Sequence, residues 1–206
     1  CLRLPTGGGK TLLGAHAVKV AAGYVERDRP LVLWLTPSTI IADQTRDALK
    51  DPTHPYRQAL DDAFGGAVRV LDIGERRQIA PQDLTDKCVI VVGTMQAFRT
   101  ASTEGRLVYG DDEAFEPHFR NVNESTPNLE RNIDGKRKGL IKVSFANLLH
   151  IWRPVLILDE AHNFVTGLSG EVKERLNPAC VIEFTATPQT QSNTIFAASA
   201  RELQDA

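Results

Sequence analysis

The sequence is poor in several things that would have fixed its class at once. Cysteine occurs three times, at Cys1, Cys88 and Cys180, an odd number at no short spacing. That excludes a disulfide-stapled scaffold and a four-ligand structural zinc site, and it fits buried, reduced thiols in a cytoplasmic protein. Long hydrophobic runs are also missing. The longest, RPVLILDEAH, is broken by charge after a short apolar stretch, far below the roughly 20 residues that cross a bilayer. The N-terminus carries glycines and Lys10 where a signal peptide would need an apolar core. Neither charge dominates: 24 Lys and Arg face 26 Asp and Glu, a net charge of −2. The basic excess of a free-standing polyanion binder is therefore lacking, and any such contact must be local or shared with another domain. His16, His54, His118 and His150 show no metal-ligand spacing, so structural or exposed roles are expected for them.

What is present is an alternation of short aliphatic runs with helical stretches. LVLWLT (31–36), AVRVLDI (67–73), CVIVVG (88–93), PVLILDE (154–160) and VIEFTAT (181–187) read as strands. Most are apolar at successive positions, as parallel strands covered on both faces must be. TLLGAHAVKVAAG reads as a helix that Gly23 would end, STIIADQTRDALK as a helix capped by Ser38, and GTMQAFRT as a short helix after a strand. The fold class expected is a doubly wound, mostly parallel α/β sheet with helices on both faces, forming one lobe over 1–206. Residues 101–141 break the rhythm and read as a polar surface insertion, with a hairpin around Asp134-Gly135. GKRKG (135–139) within it is the basic cluster of the chain and reads as a solvated loop. LIKVSFANLLHIW then reads as helical up to Pro154.

Two motifs carry chemistry. LPTGGGKT, Leu4 to Thr11, follows an apolar stub and precedes a good helix. That setting suits an anion, because backbone N–H groups at the helix start, its dipole and the glycines allow a phosphate to approach closely. Lys10 would reach the β and γ phosphates and the Thr11 hydroxyl would ligate Mg2+. The first position of the motif is Leu4 and not glycine, and a mobile glycine turn is the competing reading. VLILDEAHN supplies a second half: Asp159 ends an apolar strand where such sheets bind ligands. Its carboxylate can hold Mg2+, and Glu160 can deprotonate an attacking water. Two acids at a strand end also occur as plain caps. The pairing of both motifs in one α/β chain favours ATP hydrolysis over a P-loop kinase or a nucleotide-gated binding module. His162 gains meaning from FTATP on the next strand, whose Thr185 or Thr187 hydroxyl it could bond.

With LPTGGGKT, LTPS, DEAH and TATP in that order, the chain resembles the first RecA-like domain of superfamily-two helicases and translocases. It looks most like the Res subunit of type III restriction enzymes. The resemblance implies ATP and Mg2+ as cofactors, with Thr6, Gly7, Gly8, Gly9, Lys10 and Thr11 on the phosphates. It implies Thr11 and Asp159 on the metal, Glu160 and Lys10 in catalysis, and His162, Thr185 and Thr187 coupling hydrolysis to movement. It further implies nucleic-acid backbone contacts, DNA favoured over RNA, through Thr36, Pro37 and Ser38 and through Gly93 and Thr94. The hydroxyl and N–H groups of such helix starts bind phosphate without reading sequence. It also implies a second RecA-like domain outside the chain, supplying the other wall of the ATP cleft, and a modification or nuclease partner. No P-D…(D/E)-x-K nuclease pattern stands at a plausible strand end.

Overall fold

The computed structural model describes residues 1–5, 9–98, 107–159, 170–186, 193–199 and 202. The strands are β1 (Leu2–Arg3), β2 (Leu31–Thr36), β3 (Val68–Asp72), β4 (Cys88–Thr94), β5 (Val155–Asp159), β6 (Cys180–Thr185) and β7 (Phe196–Ala197). They form one sheet in the order β3-β4-β2-β5-β6-β1-β7, and every pairing is parallel. The expected doubly wound α/β fold is therefore present.

Alternation along the strands sorts the core into two layers. Leu31, Leu33 and Leu35 of β2, Val89 and Val91 of β4, and Leu156 and Leu158 of β5 belong to one cluster. Val32, Trp34, Ile90, Val92, Val155 and Ile157 belong to the other. Side chains point to opposite faces with a period of two, so a run apolar at every position must be covered twice. The second face is covered by α1 (Lys10–Tyr24), α2 (Thr39–Lys50) and α3 (Pro55–Phe64), through Ala15, Val18, Ala42, Leu49, Leu60 and Phe64. α4 (Pro81–Asp86) leads from the helical turn after β3 into β4. The first face is covered by α5 (Phe145–Trp152), α6 (Gly170–Leu176) and part of the insertion.

Several boundaries differ from the sequence-based expectation for physical reasons. Gly23 does not end α1, which runs to Tyr24; the left-handed residue that turns the chain is Glu26, at φ 54°. The stretch before Pro154 is helical only from Phe145, because Ser144 Oγ caps it by accepting from Asn147 N–H at 3.1 Å. Residues 141–143 are extended there: Ile141 bridges Arg131, and Val143 N–H donates to Asp111 Oδ1 at 2.7 Å. The insertion is not merely a surface loop, since its Val108, Tyr109, Phe115 and Leu129 are buried. The helix after β4 is a single 3-10 stretch, Met95–Phe98. The tail also contributes to the sheet, as β7 pairs with β1. Among the described residues no helix is long and apolar enough to cross a membrane.

Candidate functional site

Because every strand runs the same way, the carboxyl ends of β1, β2, β4, β5 and β6 open onto one edge of the sheet. The sequence motifs converge there. β1 passes into the glycine loop at Leu4, whose N–H donates to Thr185 O at 3.0 Å, while Arg3 Nε donates to Ala186 O at 3.3 Å. The end of β6 is thus tied to the entrance of the loop. Thr6, Gly7 and Gly8 lie outside the described residues, as do Glu160, His162 and Thr187. Gly9, Lys10, Thr11, Asp159 and Thr185 are described.

Gly9 stands immediately before α1 in the left-handed region, at φ 71°, with open space where a side chain would be. α1 is unusual in how it starts. Of the helices of eight or more residues among the described residues, α2 is capped by Ser38, α3 by His54 and α5 by Ser144. α1 has no side-chain cap and no acid in its first turn. Among the described residues its leading N–H groups therefore lack the side-chain cap that the other helices have, at the positive end of the helix dipole. Lys10 is its first residue and is 7% exposed, and Asp159 at the end of β5 is 6% exposed. A lysine and an aspartate held this deep at one sheet edge are costly unless they are engaged, and both do take part in polar or electrostatic interactions. An uncapped helix start, a lysine, the Thr11 hydroxyl and an aspartate form a donor set suited to a triphosphate with a hard divalent cation.

Gly14, one turn further along α1, sets how close this helix sits to the sheet. A Cβ there would lie 2.6 Å from Cη2 and 2.9 Å from Cζ2 of Trp34, which is itself wholly buried.

Along the same edge, Thr36 is in register with Thr94, and Leu35 with Leu158. Thr36 is fully buried, and its hydroxyl lies 3.0 Å from Ser38 O and 3.4 Å from Gly93 O, joining the two loops read as backbone contacts. Ser38 caps α2 through a 3.4 Å bond from Ile41 N–H. Gly93 has a packing reason of its own, since a Cβ there would meet Ile73 at 3.0–3.2 Å. Pro37, Ser38 and Thr94 remain half-buried.

Between these loops and the end of β3 lies a cleft of about 340 Å3, lined in part by Thr39, Arg46, Asp72, Arg76, Gly93 and Thr94. Arg46 is held by Asp43 at 2.6 Å and Asp47 at 2.8 Å, and its bond to Asp47 is the main cause that raises its pKa. Arg76 is buried, with its guanidinium donating to Ile73 O at 3.1 Å and Leu107 O at 3.2 Å. Burial lowers its pKa and Asp112 opposes that. Sequence reasoning overlooked both arginines, although Arg76 lies in the helical turn that follows the carboxyl end of β3, where edge-lining residues belong. Of the other histidines, His16 is exposed on α1, His54 caps α3, His118 Nε2 lies 2.9 Å from Ile79 O and His150 Nδ1 lies 2.9 Å from Arg175 O.

Comparison with known proteins places this edge in context. Residues 1–190 match the family model described as type III restriction enzyme, res subunit. No curated protein matches the chain.

Proposed function

Because the chain belongs to the type III restriction enzyme Res subunit family, we propose that it is the ATP-binding and hydrolysing lobe of a DNA-dependent helicase or translocase. The family is one of helicase-like, ATP-dependent motors. The observation that carries the reading to this chain's own residues is the start of α1, uncapped, free of acid in its first turn and headed by a buried lysine.

Bound Mg-ATP supplies the phosphoanhydride whose hydrolysis drives the motor. Thr6, Gly7, Gly8 and Gly9 would hold the phosphates through backbone N–H groups, and Lys10 would neutralise their charge. Thr11 and Asp159 hold Mg2+. Glu160 would orient the attacking water and accept its proton as general base. His162, Thr185 and Thr187 relay the change to β6, and the bond from Leu4 N–H to Thr185 O supports that route. Pro37, Ser38, Gly93 and Thr94 contact the backbone of the polymer, with buried Thr36 acting from behind as the tie between their loops. A second RecA-like lobe completes the cleft and supplies charge to the transferring phosphoryl group, and a modification or nuclease partner acts on the DNA.

The test is turnover by the full-length protein with no polymer, with duplex DNA and with RNA of equal length. Stimulation by DNA above RNA is expected, and Glu160→Gln should lower turnover by about 100-fold or more while ATP still binds. Polymer-independent turnover would favour a nucleotide-gated binding module instead. The 206 residues alone should turn over weakly, and brisk hydrolysis by them that Lys10→Ala abolishes would contradict the need for a second lobe.

A further inference from the structure

The cluster GKRKG lies in a short hairpin. Arg131 and Ile141 form an antiparallel bridge. It is extended by bonds from Asn132 N–H to Leu140 O at 3.0 Å, Gly139 N–H to Asn132 O at 2.8 Å and Lys142 N–H to Glu130 O at 2.8 Å. Gly135 and Gly139, at φ 72° and 83°, turn the chain at the tip. The base is fixed to α5. Asn147, 2% exposed, accepts from Glu130 N–H at 2.9 Å and donates to Glu130 O at 2.9 Å and Lys142 O at 2.7 Å.

The cations of the hairpin divide into two groups. Arg131 pairs with Glu124 at 3.3 Å, Arg137 with Asp111 at 3.2 Å and Lys142 with Glu130 at 3.4 Å. These three hold the hairpin in place. Lys136 and Lys138, both exposed at the tip, have no carboxylate partner among the described residues. Their charges stand outside the ion pairs that anchor the other cations of the hairpin.

The hairpin also lies on the functional edge. α5 ends two residues before β5 begins, so it runs back along the strand and its start, about 12 Å from its end, lies toward the carboxyl edge. A chain of contacts confirms the direction. Arg137 pairs with Asp111; the neighbouring Asp112 pairs with Arg77 at 2.7 Å, and its N–H donates to Val143 O at 2.7 Å. Arg77 follows the carboxyl end of β3, beside Arg76 of the cleft that Thr94 lines.

We infer that Lys136 and Lys138 form an additional clamp on the phosphate backbone of the nucleic acid. The inference rests on the motor reading and extends its contact surface beyond the loops at Ser38 and Thr94. Lysine suits the task as a point charge that neutralises phosphate without reading sequence, and its rigid mounting spares the cost of ordering a loop on binding.

The experiment is a fluorescence-anisotropy titration of the 206-residue chain with short labelled duplex DNA over a series of salt concentrations. Lys136→Ala/Lys138→Ala is compared with the unaltered chain and with Lys136→Arg/Lys138→Arg. Two lost phosphate contacts should make the slope of log K against log salt shallower by about 1.8, and the arginine pair should restore it. Nucleotide binding should be unchanged, showing that the alanine variant is folded. Equal slopes and affinities for the unaltered chain and the alanine variant would overturn the clamp and leave the motor reading standing. They would assign the tip to a protein partner or to solvent. No binding of DNA by the unaltered chain would overturn the clamp alone, since the motor reading is tested by turnover of the full-length protein.

Discussion

Replacing Gly14 by alanine should destabilise the protein even though alanine is the better helix former. In an exposed helix interior this change gains about 1 kcal/mol. At Gly14 the new methyl would lie 2.6 Å from Trp34 Cη2, 2.9 Å from Cζ2 and 3.5 Å from Phe184 Cε2. Trp34 is 0% exposed, so the ring can retreat only by displacing the core beneath it. Overpacking of this kind costs about 1–3 kcal/mol, leaving a net loss of up to about 2 kcal/mol after the helix gain. Gly23 in the same helix is the internal control, since a Cβ there meets nothing within 4 Å, and Gly23→Ala should stabilise by about 0.5–1 kcal/mol. At about 2–4 °C per kcal/mol for a chain of this size, Gly14→Ala should lower Tm by up to about 8 °C and Gly23→Ala should raise it by about 1–4 °C. Thermal and urea unfolding of the two variants read the difference directly. A Gly14→Ala protein as stable as Gly23→Ala would refute the close approach of α1 to β2. If the approach holds, Gly14→Ala should also weaken nucleotide binding, because Lys10 rides on the displaced helix.

Asn147→Ala removes the three bonds that fix the hairpin base, and at about 1 kcal/mol each it should cost about 2–4 kcal/mol. Hydrogen exchange should quicken first at the amides of residues 130–142. Asp83 is buried and accepts from Ala80 N–H at 2.9 Å and Lys87 Nζ at 3.0 Å, with Arg69 as a further partner. Burial pushes its pKa up, but those partners outweigh it and hold the carboxyl below its ordinary 3.8. Its contribution is therefore full above that value and is lost as pH falls through the lowered native one, so Asp83→Asn should be destabilising at neutral pH and nearly harmless in acid, read by unfolding at both. Ser38→Ala should cost about 0.5–1 kcal/mol, the lower range for a cap, given its 3.4 Å bond. Burial pushes the Cys88 thiol up to about 12, so it should resist alkylation until the protein unfolds, as peptide mapping can show.

The sheet was legible because its strands are buried on both faces. LVLWLT and CVIVVG are apolar at every position, and the fold divides those positions between two layers. β1 and β7 were harder, as two residues carry no period; their neighbours, Thr185 and Arg3 among them, fix them by hydrogen bonds. α3 and α4 left signals of a kind that periodicity does not catch. Pro55 and Pro81 stand in the first turn, and Gly65 closes α3 at φ 62°. The anchors of the insertion, Val108, Phe115 and Leu129, are spaced irregularly because each is buried by a separate turn of chain. At the site, Lys10 and Asp159 could be read from their motifs. That α1 alone among the longer helices of the described residues lacks a cap could not, since it depends on which side chains reach the helix starts. Which cations of 130–142 are paired also needed the fold, because Asp111 and Glu124, the partners of Arg137 and Arg131, lie outside the hairpin.

The central claim, a nucleotide site at the start of α1, is tested most directly by titrating the chain with a fluorescent ATP analogue, with and without Mg2+. Binding is expected, strengthened by Mg2+, and Lys10→Ala should weaken it by about tenfold or more, the worth of one charge-assisted hydrogen bond. Asp159→Ala should abolish the gain from Mg2+. Affinity left unchanged by Lys10→Ala would contradict the site.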